Sequence, residues 1–260
     1  MRKFFTIASL VALTLSACSK ESAKSDERGE GRVTFSCEAV AAVEETRATR
    51  EVSCTTPAVE EYSLRIDGVG HTYTANYATI AEFNDGDSYL KSASYTATVT
   101  AGDITEEGYD KATFVGSADF AVEPRKNTEV TITAYIANAL VKVEVTDNFK
   151  TYFPGGHTLK LTTAAGNEFD VTEQTEPLFI APGAFTVSGS AVKQPNQSGA
   201  EGTTVTLPEY KNNDAKAQTY YTVKLDVENA GRATLTITLN DTLVESIDIE
   251  QELNDNSENK

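Results

Sequence analysis

Tryptophan is absent from these 260 residues, methionine occurs once, histidine twice and cysteine three times. Cations are also few: 22 Lys and Arg face 39 Asp and Glu, leaving a net charge of −17. A chain this acidic repels phosphate backbones, which argues against nucleic acid and against polyanionic glycans as partners. No G-x-S-x-G, no H-E-x-x-H and no workable Cys–His pairing is present. Scattered carboxylates would form glycosidase-like pairs by chance at this acidity. The chain therefore reads as non-enzymatic, with no cofactor. Lack of tryptophan disfavours a dedicated sugar-stacking module. Eleven tyrosines could take that role, but most fall on inward strand phases. No amphipathic helix of ordinary length is legible.

What is present starts at the N-terminus. Arg2 and Lys3 precede the apolar run Phe4–Leu15, which is shorter than the roughly 20 residues of a membrane-spanning helix. Positive start, apolar middle and small-residue end describe an export signal. Leu15-Ser16-Ala17-Cys18 resembles the lipobox of bacterial lipoproteins. That resemblance implies signal peptidase cleavage between Ala17 and Cys18 and acylation of the Cys18 thiol. Each buried lipid CH₂ then contributes roughly 0.8 kcal/mol to membrane anchoring. The alternative is a plain secretion signal with a chance cysteine. Loss of residues 1–17 removes Arg2 and Lys3 and takes the net charge from −17 to −19. Residues 18–31 read as a flexible tether. Its Lys20, Glu21, Asp26 and Glu27 resemble the export tags of surface lipoproteins, so an outer-membrane, surface-exposed location is expected, with the periplasmic leaflet as the alternative.

From Val33 onward apolar residues alternate with period two. The runs are Val33-Phe35, Tyr62–Ile66, Tyr95–Val99, Phe114–Val122, Val130–Ile136, Val141–Val145, Leu159-Leu161, Phe185-Val187, Val205-Leu207, Tyr221–Val227, Leu235–Leu239 and Ile247-Ile249. Short strands at regular spacing with turn signals between them, in a threonine-rich chain, indicate an all-β protein. The apolar phase shifts through Ala137–Ala139, which places a boundary there. The expected organisation is two tandem β-sandwich domains of immunoglobulin or transthyretin type, over residues 32–137 and 138–253, with a disordered tail at 254–260. A faint internal repeat supports it: Leu64-x-Ile66 matches Leu159-x-Leu161, Gly70 matches Gly166, and Tyr95 matches Phe185, each after a loop ending in Leu90 or Leu178.

Beyond Cys18 the candidate chemistry is sparse. Cys37 and Cys54 would face each other if their strands paired about the loop Glu44–Arg50; a bridge would contribute on the order of 3 kcal/mol. The alternative is two buried free thiols. His71 and His157 both sit in G-H-T, but as solvated loop histidines rather than metal ligands. Glu82, Asn84, Asp85 and Asp87 surround a glycine without the spacing of a calcium loop, and read as a turn. No metal site is expected. Arg47 and Arg50 lie in a polar loop open to proteases, and Asp241-Thr242-Leu243 resembles a bacterial O-glycosylation site at Thr242.

The lipobox, SYLKSASYTATVTAG, ATFVGSADFAV and TEVTITAYIANALVKVEVTDNF together resemble Bacteroidetes-type surface lipoproteins of a domain-of-unknown-function family, from about Gly31 to about Leu253. That family is distantly similar to fimbrillin-like lipoproteins. The resemblance implies a lipid-anchored, two-part β-sandwich with no assigned activity. It favours adhesion, recognition or a structural role at the cell surface, with a glycan or protein ligand. The alternative it implies is a fimbrial subunit, cut at Arg47 or Arg50 and self-assembled by strand exchange.

Overall fold

The computed structural model describes residues 29–45, 48–193, 202, 204–229 and 233–248. The chain is all-β apart from short helical segments. Its first strand, β1 (Glu30–Val40), buries Val33, Phe35 and Cys37 and exposes the residues between them, as the period-two pattern requires. A hairpin of β2 (Ala42–Glu45) and β3 (Ala48–Glu51) follows. Then come β4 (Ser63–Gly68), β5 (Thr74–Tyr77), helix α1 (Ile80–Asp85), β6 (Tyr89–Lys91), β7 (Ser94–Ala101), β8 (Phe114–Ala121) and β9 (Asn127–Ile136).

Seven of these strands form one sheet in the order β5-β4-β7-β8-β9-β1-β6. It cannot be flat. Only Ser92 and Ala93 separate β6 from β7, a reach of roughly 10 Å. In a flat sheet, four inter-strand spacings would hold those strands about 19 Å apart. The sheet therefore curls over a core. The fold line is at β8 and β9, which pair only at Phe114–Ile136 and Val115–Tyr135. Just beyond, Gly116 crosses so close to β9 that a Cβ would collide with the Thr133 carbonyl. Phe35, Phe83, Tyr95 and Phe120 fill the space between the layers through edge and stacked ring contacts 5.1–5.6 Å between centroids.

The second lobe contains β10 (Ala139–Val145), helix α2 (Asp147–Tyr152), β11 (His157–Thr163), β12 (Glu168–Asp170), β13 (Leu178–Ile180), β14 (Gly183–Val192), β15 (Thr204–Thr206), β16 (Tyr210–Ala215), β17 (Tyr220–Asn229), β18 (Ala233–Leu239) and β19 (Thr242–Asp248). One sheet runs β13-β10-β17-β18-β19; the other runs β12-β11-β14-β15, with β16 also on β14. Together they enclose a second apolar core that includes Val141, Phe149, Leu161, Phe185, Val223 and Leu235.

The two lobes repeat one scheme. β1 lies parallel to β9 and antiparallel to the short β6; β10 lies parallel to β17 and antiparallel to the short β13. β4 pairs with β5 and β7, as β11 pairs with β12 and β14. Two of the matches in the sequence repeat keep the same register: Leu64 lies opposite Val99 and Leu159 opposite Gly189, with Tyr95 opposite Gly68 and Phe185 opposite Thr163. Leu90 and Leu178 do not, since Leu90 pairs with the second residue of β1 and Leu178 with the third of β10.

Asn138, fully buried, stands between β9 and β10, where its side-chain oxygen accepts the Thr113 N–H at 2.7 Å and its carbonyl the Gln218 N–H at 2.8 Å. Past it the chain serves both cores. Ala139, Val141 and Val143 face the second, while Leu140 faces the first along with Phe179 and Tyr220. The phase shift thus reflects a strand buried on both faces. Among the described residues no helix is long and apolar enough to cross a membrane.

Candidate functional site

Two clefts stand out, one where the lobes meet and one at the far end of the first lobe. The first is built by the connection between β7 and β8, residues 102–113. Asp103 accepts the Thr105 N–H at 2.8 Å and its hydroxyl at 2.7 Å, which fixes the turn and holds the Asp103 carboxyl below the usual range. The following residues then reach across to the second lobe. Glu107 Oε2 accepts from the Thr163 hydroxyl at 2.6 Å and Asn167 Nδ2 at 2.7 Å, and Oε1 accepts the Ala181 N–H at 2.9 Å. Gly108 and Phe179 exchange both backbone hydrogen bonds. The Tyr109 hydroxyl donates to the Asp170 carbonyl at 3.2 Å.

Tyr109 consequently stands as a fixed wall, its residue 41% exposed, beside a groove of about 630 Å³. Asp110, Thr158, Asp170, Glu173 and Glu176 also line it. Burial, then the Asp170 charge, pushes the Tyr109 hydroxyl above its ordinary pKa. The Asp170 carboxyl is lowered by hydrogen bonds from Thr172. An aromatic face with hydroxyls and carboxylates around it can stack on a ring while hydrogen-bonding its edge.

The second cleft, about 380 Å³, is lined by His71, Tyr73, Tyr89, Lys91 and Tyr95. Tyr95 is its floor: buried, with its hydroxyl donating to the Lys91 carbonyl at 2.9 Å and its ring edge-on to both His71 and Tyr73. Burial pushes the Tyr73 hydroxyl up to about 12. Tyr89, on the edge strand β6, is 53% exposed.

The sequence candidates scatter rather than converge. Ala17, Cys18, Arg47 and the 254–260 tail lie outside the described residues. Cys37 and Cys54 are free thiols, not a bridge. The expected pairing fails because β1 continues past Cys37 and pairs with β9, setting Cys37 beside Ile132, while the hairpin forms from residues 42–51 and Cys54 follows it outside any strand. Burial raises both thiols above their ordinary pKa.

Arg50 is likewise not in a loop. It belongs to β3, binds Glu45 at 2.8 Å and lies 4.0 Å over the Tyr220 ring. Thr242 opens β19, exposed, after a turn whose Asn240 and Asp241 adopt positive φ.

The histidines are packed rather than solvated. His71 Nδ1 meets the Val69 carbonyl at 3.3 Å, and its Nε2 is buried against Gly68. His157 Nε2 meets the Thr172 carbonyl at 3.3 Å, and its ring is edge-on to Phe149. They belong to different lobes. Among the described residues no three His, Cys, Asp or Glu stand together as a metal would need.

Glu82 and Asn84 sit on α1, not in a bare turn. Glu82 caps the helix by accepting the Ala78 N–H at 2.6 Å, and its own N–H donates to the Thr79 hydroxyl at 3.0 Å. Glu107 and Tyr109 escaped sequence reading because E-E-G-Y-D looks like any polar turn. The only signal was Gly108, whose φ of +152° suits glycine.

Fold and clefts define a two-core, all-β protein with open clefts at the lobe junction and at one end. The chain belongs to the family described as a domain of unknown function, DUF4493, which matches residues 29–255. No curated protein matches it. Among solved structures it is similar to a proposed cell adhesion protein of Bacteroides eggerthii, with 11% identity and a TM-score of 0.42 over 84% of this chain and 97% of that one. A proposed polysaccharide-binding protein of Bacteroides thetaiotaomicron gives 8% identity and a TM-score of 0.38 over 83% and 98%. A proposed cell adhesion protein of Bacteroides fragilis gives 10% identity and 0.38 over 83% and 99%.

Proposed function

We propose that this protein is a non-enzymatic surface lipoprotein, anchored in the outer membrane through acylated Cys18 after cleavage at Ala17–Cys18, that recognises a glycan or protein ligand in the junction groove. The observation that carries the recognition reading is Tyr109: an exposed ring held in place by its own hydroxyl bond to the opposite lobe. A platform fixed before the ligand arrives loses little entropy on binding. The two separate cores support domains at 32–137 and 138–253, with the shared residues Leu140, Phe179 and Tyr220 at the seam. Exposure of Thr242 fits an O-glycan there.

The fimbrial alternative is weaker, because cutting at Arg50 would require breaking its contacts with Glu45 and Tyr220. Intact mature mass on native cells is expected; a species beginning at Ala48 or Glu51 would reverse that ranking. A glycan and peptide array probed with the purified protein tests the main reading. Binding should fall at least tenfold in Tyr109→Ala and by less in Tyr109→Phe, which keeps the ring and loses the bond that fixes it. A ligand held equally by wild type and Tyr109→Ala would remove the groove from the function. Separately, Cys18→Ala should release the protein from the membrane fraction.

A further inference from the structure

The end of the first lobe away from the second lobe gathers Gly29 and the turns β4–β5, β6–β7 and β8–β9. The Ser92 N–H donates to the Gly29 carbonyl at 3.0 Å, Arg125 N–H to Glu30 at 2.9 Å, Val69 N–H to Ser94 at 2.9 Å and Val122 N–H to Ala93 at 2.9 Å. From this end β1 runs eleven residues toward the junction, where its hairpin bonds the second lobe through Glu44 N–H and the Gln218 carbonyl at 2.7 Å.

Three exposed apolar side chains stand here: Val69 (52% exposed), Tyr89 (53% exposed) and Pro124. Exposed Lys91, Arg125 and Lys126 stand among them, against Glu30 and Glu123. Nearby Arg65 and Asp67 bind each other at 2.7 Å. In a chain of net charge −17, the four cations named here, Arg65, Lys91, Arg125 and Lys126, outnumber the three acids, Glu30, Asp67 and Glu123, so this end is locally not acidic.

Covalent geometry adds a direction. Eleven Cα-to-Cα steps separate Cys18 from Gly29, a reach of at most about 38 Å. To place the opposite end of the lobe against the bilayer, the tether would have to run back along β1 for roughly 33 Å of that reach. The Gly29 end is therefore the one that a lipid on Cys18 brings to the membrane with the least of the tether's length used.

We propose that this end is a membrane-docking face for the phospholipid surface in which the chain's own anchor sits. Val69, Pro124 and Tyr89 enter the head-group layer, where an amphipathic tyrosine is favoured. Lys91 and Arg125 carry their apolar stems into it and leave their charges at the phosphates. The aromatic cleft behind Tyr89 then opens toward the bilayer, and the junction groove and second lobe face outward. This rests on the anchored reading above.

The test uses the full chain, acylated in cells and reconstituted in phosphatidylcholine vesicles containing phosphatidylglycerol. The photocrosslinker p-benzoylphenylalanine replaces Val69, Tyr89 or, as an outward reference on β19, Leu243, which is 58% exposed. Lipid adducts at positions 69 and 89 should exceed those at 243 by at least tenfold, and Lys91→Glu with Arg125→Glu should reduce them severalfold without detaching the protein. Anchored protein with adducts absent at 69 and 89, or equal at 243, overturns the docking face while leaving the anchor intact. Failure of the wild-type chain to sediment with vesicles, with Cys18→Ala behaving alike, overturns the anchor and this inference with it.

Discussion

The Asn84 side chain binds both backbone groups of Phe35: Oδ1 accepts its N–H at 3.0 Å and Nδ2 donates to its carbonyl at 2.8 Å. β6 pairs with β1 only at residues 30–32, so the strand edge beyond would be left open. An amide side chain from α1 closes it. The second lobe solves the same problem in the same way: β13 pairs with β10 only at 139–141, and Gln174 accepts the Val143 N–H at 2.7 Å and donates to the Val141 carbonyl at 3.0 Å. Both amides protect the exposed edge of the first strand of their lobe.

Asn84→Ala should therefore destabilise the protein by about 1–3 kcal/mol, the cost of leaving partly buried backbone groups without partners. Asn84→Asp keeps the acceptor and loses the donor, so it should not restore wild-type stability. Urea unfolding of the three proteins checks both expectations.

Glu107 carries three hydrogen bonds from the second lobe on one carboxylate. Glu107→Ala should cost about 1.5–3 kcal/mol, since bonds to a charged group are the stronger kind. The unfolding curve should also broaden or split as the lobes uncouple. A sharp single transition at the wild-type midpoint would show that the apolar seam alone couples them.

Gly116 sits where β8 crosses β9, and any Cβ meets the Thr133 carbonyl. Backbone has to move to admit it, so Gly116→Ala should cost about 1–3 kcal/mol, as overpacking does. Thermal unfolding measures it directly.

Alkaline pH should weaken the first core. Burial raises the Tyr62 and Tyr73 hydroxyls to about 12, so the folded state holds these protons more tightly than the unfolded chain does. Their contribution is complete below the ordinary tyrosine pKa of about 10 and is lost as pH climbs toward 12. Urea midpoints should fall across that window. Tyr62→Phe should flatten the fall.

Most strands were legible because half-buried pleated strands force alternation: Tyr62-Leu64-Ile66 and Tyr95-Ala97-Val99 could hardly be anything else. The repeat was legible for the same reason. Short elements were not. β5, β6, β12 and β13 are three or four residues long, too brief to show a period, and α1 and α2 are six-residue helices whose threonine caps, Thr79 and Thr146, sit in polar stretches that look like turns. The junction groove was invisible, since Tyr109 and Asp170 are far apart in the chain and meet only because residues 107–109 bond across to the second lobe.

Alternation alone determines a great deal here: an all-β chain, two successive cores and the faces on which Val33, Phe35 and Cys37 lie. These follow from the two-residue repeat of a strand, which is a local property. Tertiary structure decided which strands become neighbours. It put β9 rather than residues 52–54 beside Cys37, and so left two free thiols; it turned Arg50 from a loop residue into one held over Tyr220. Pairing partners depend on how a curled sheet closes over its core, and a pattern that repeats every two residues carries no information about that closure.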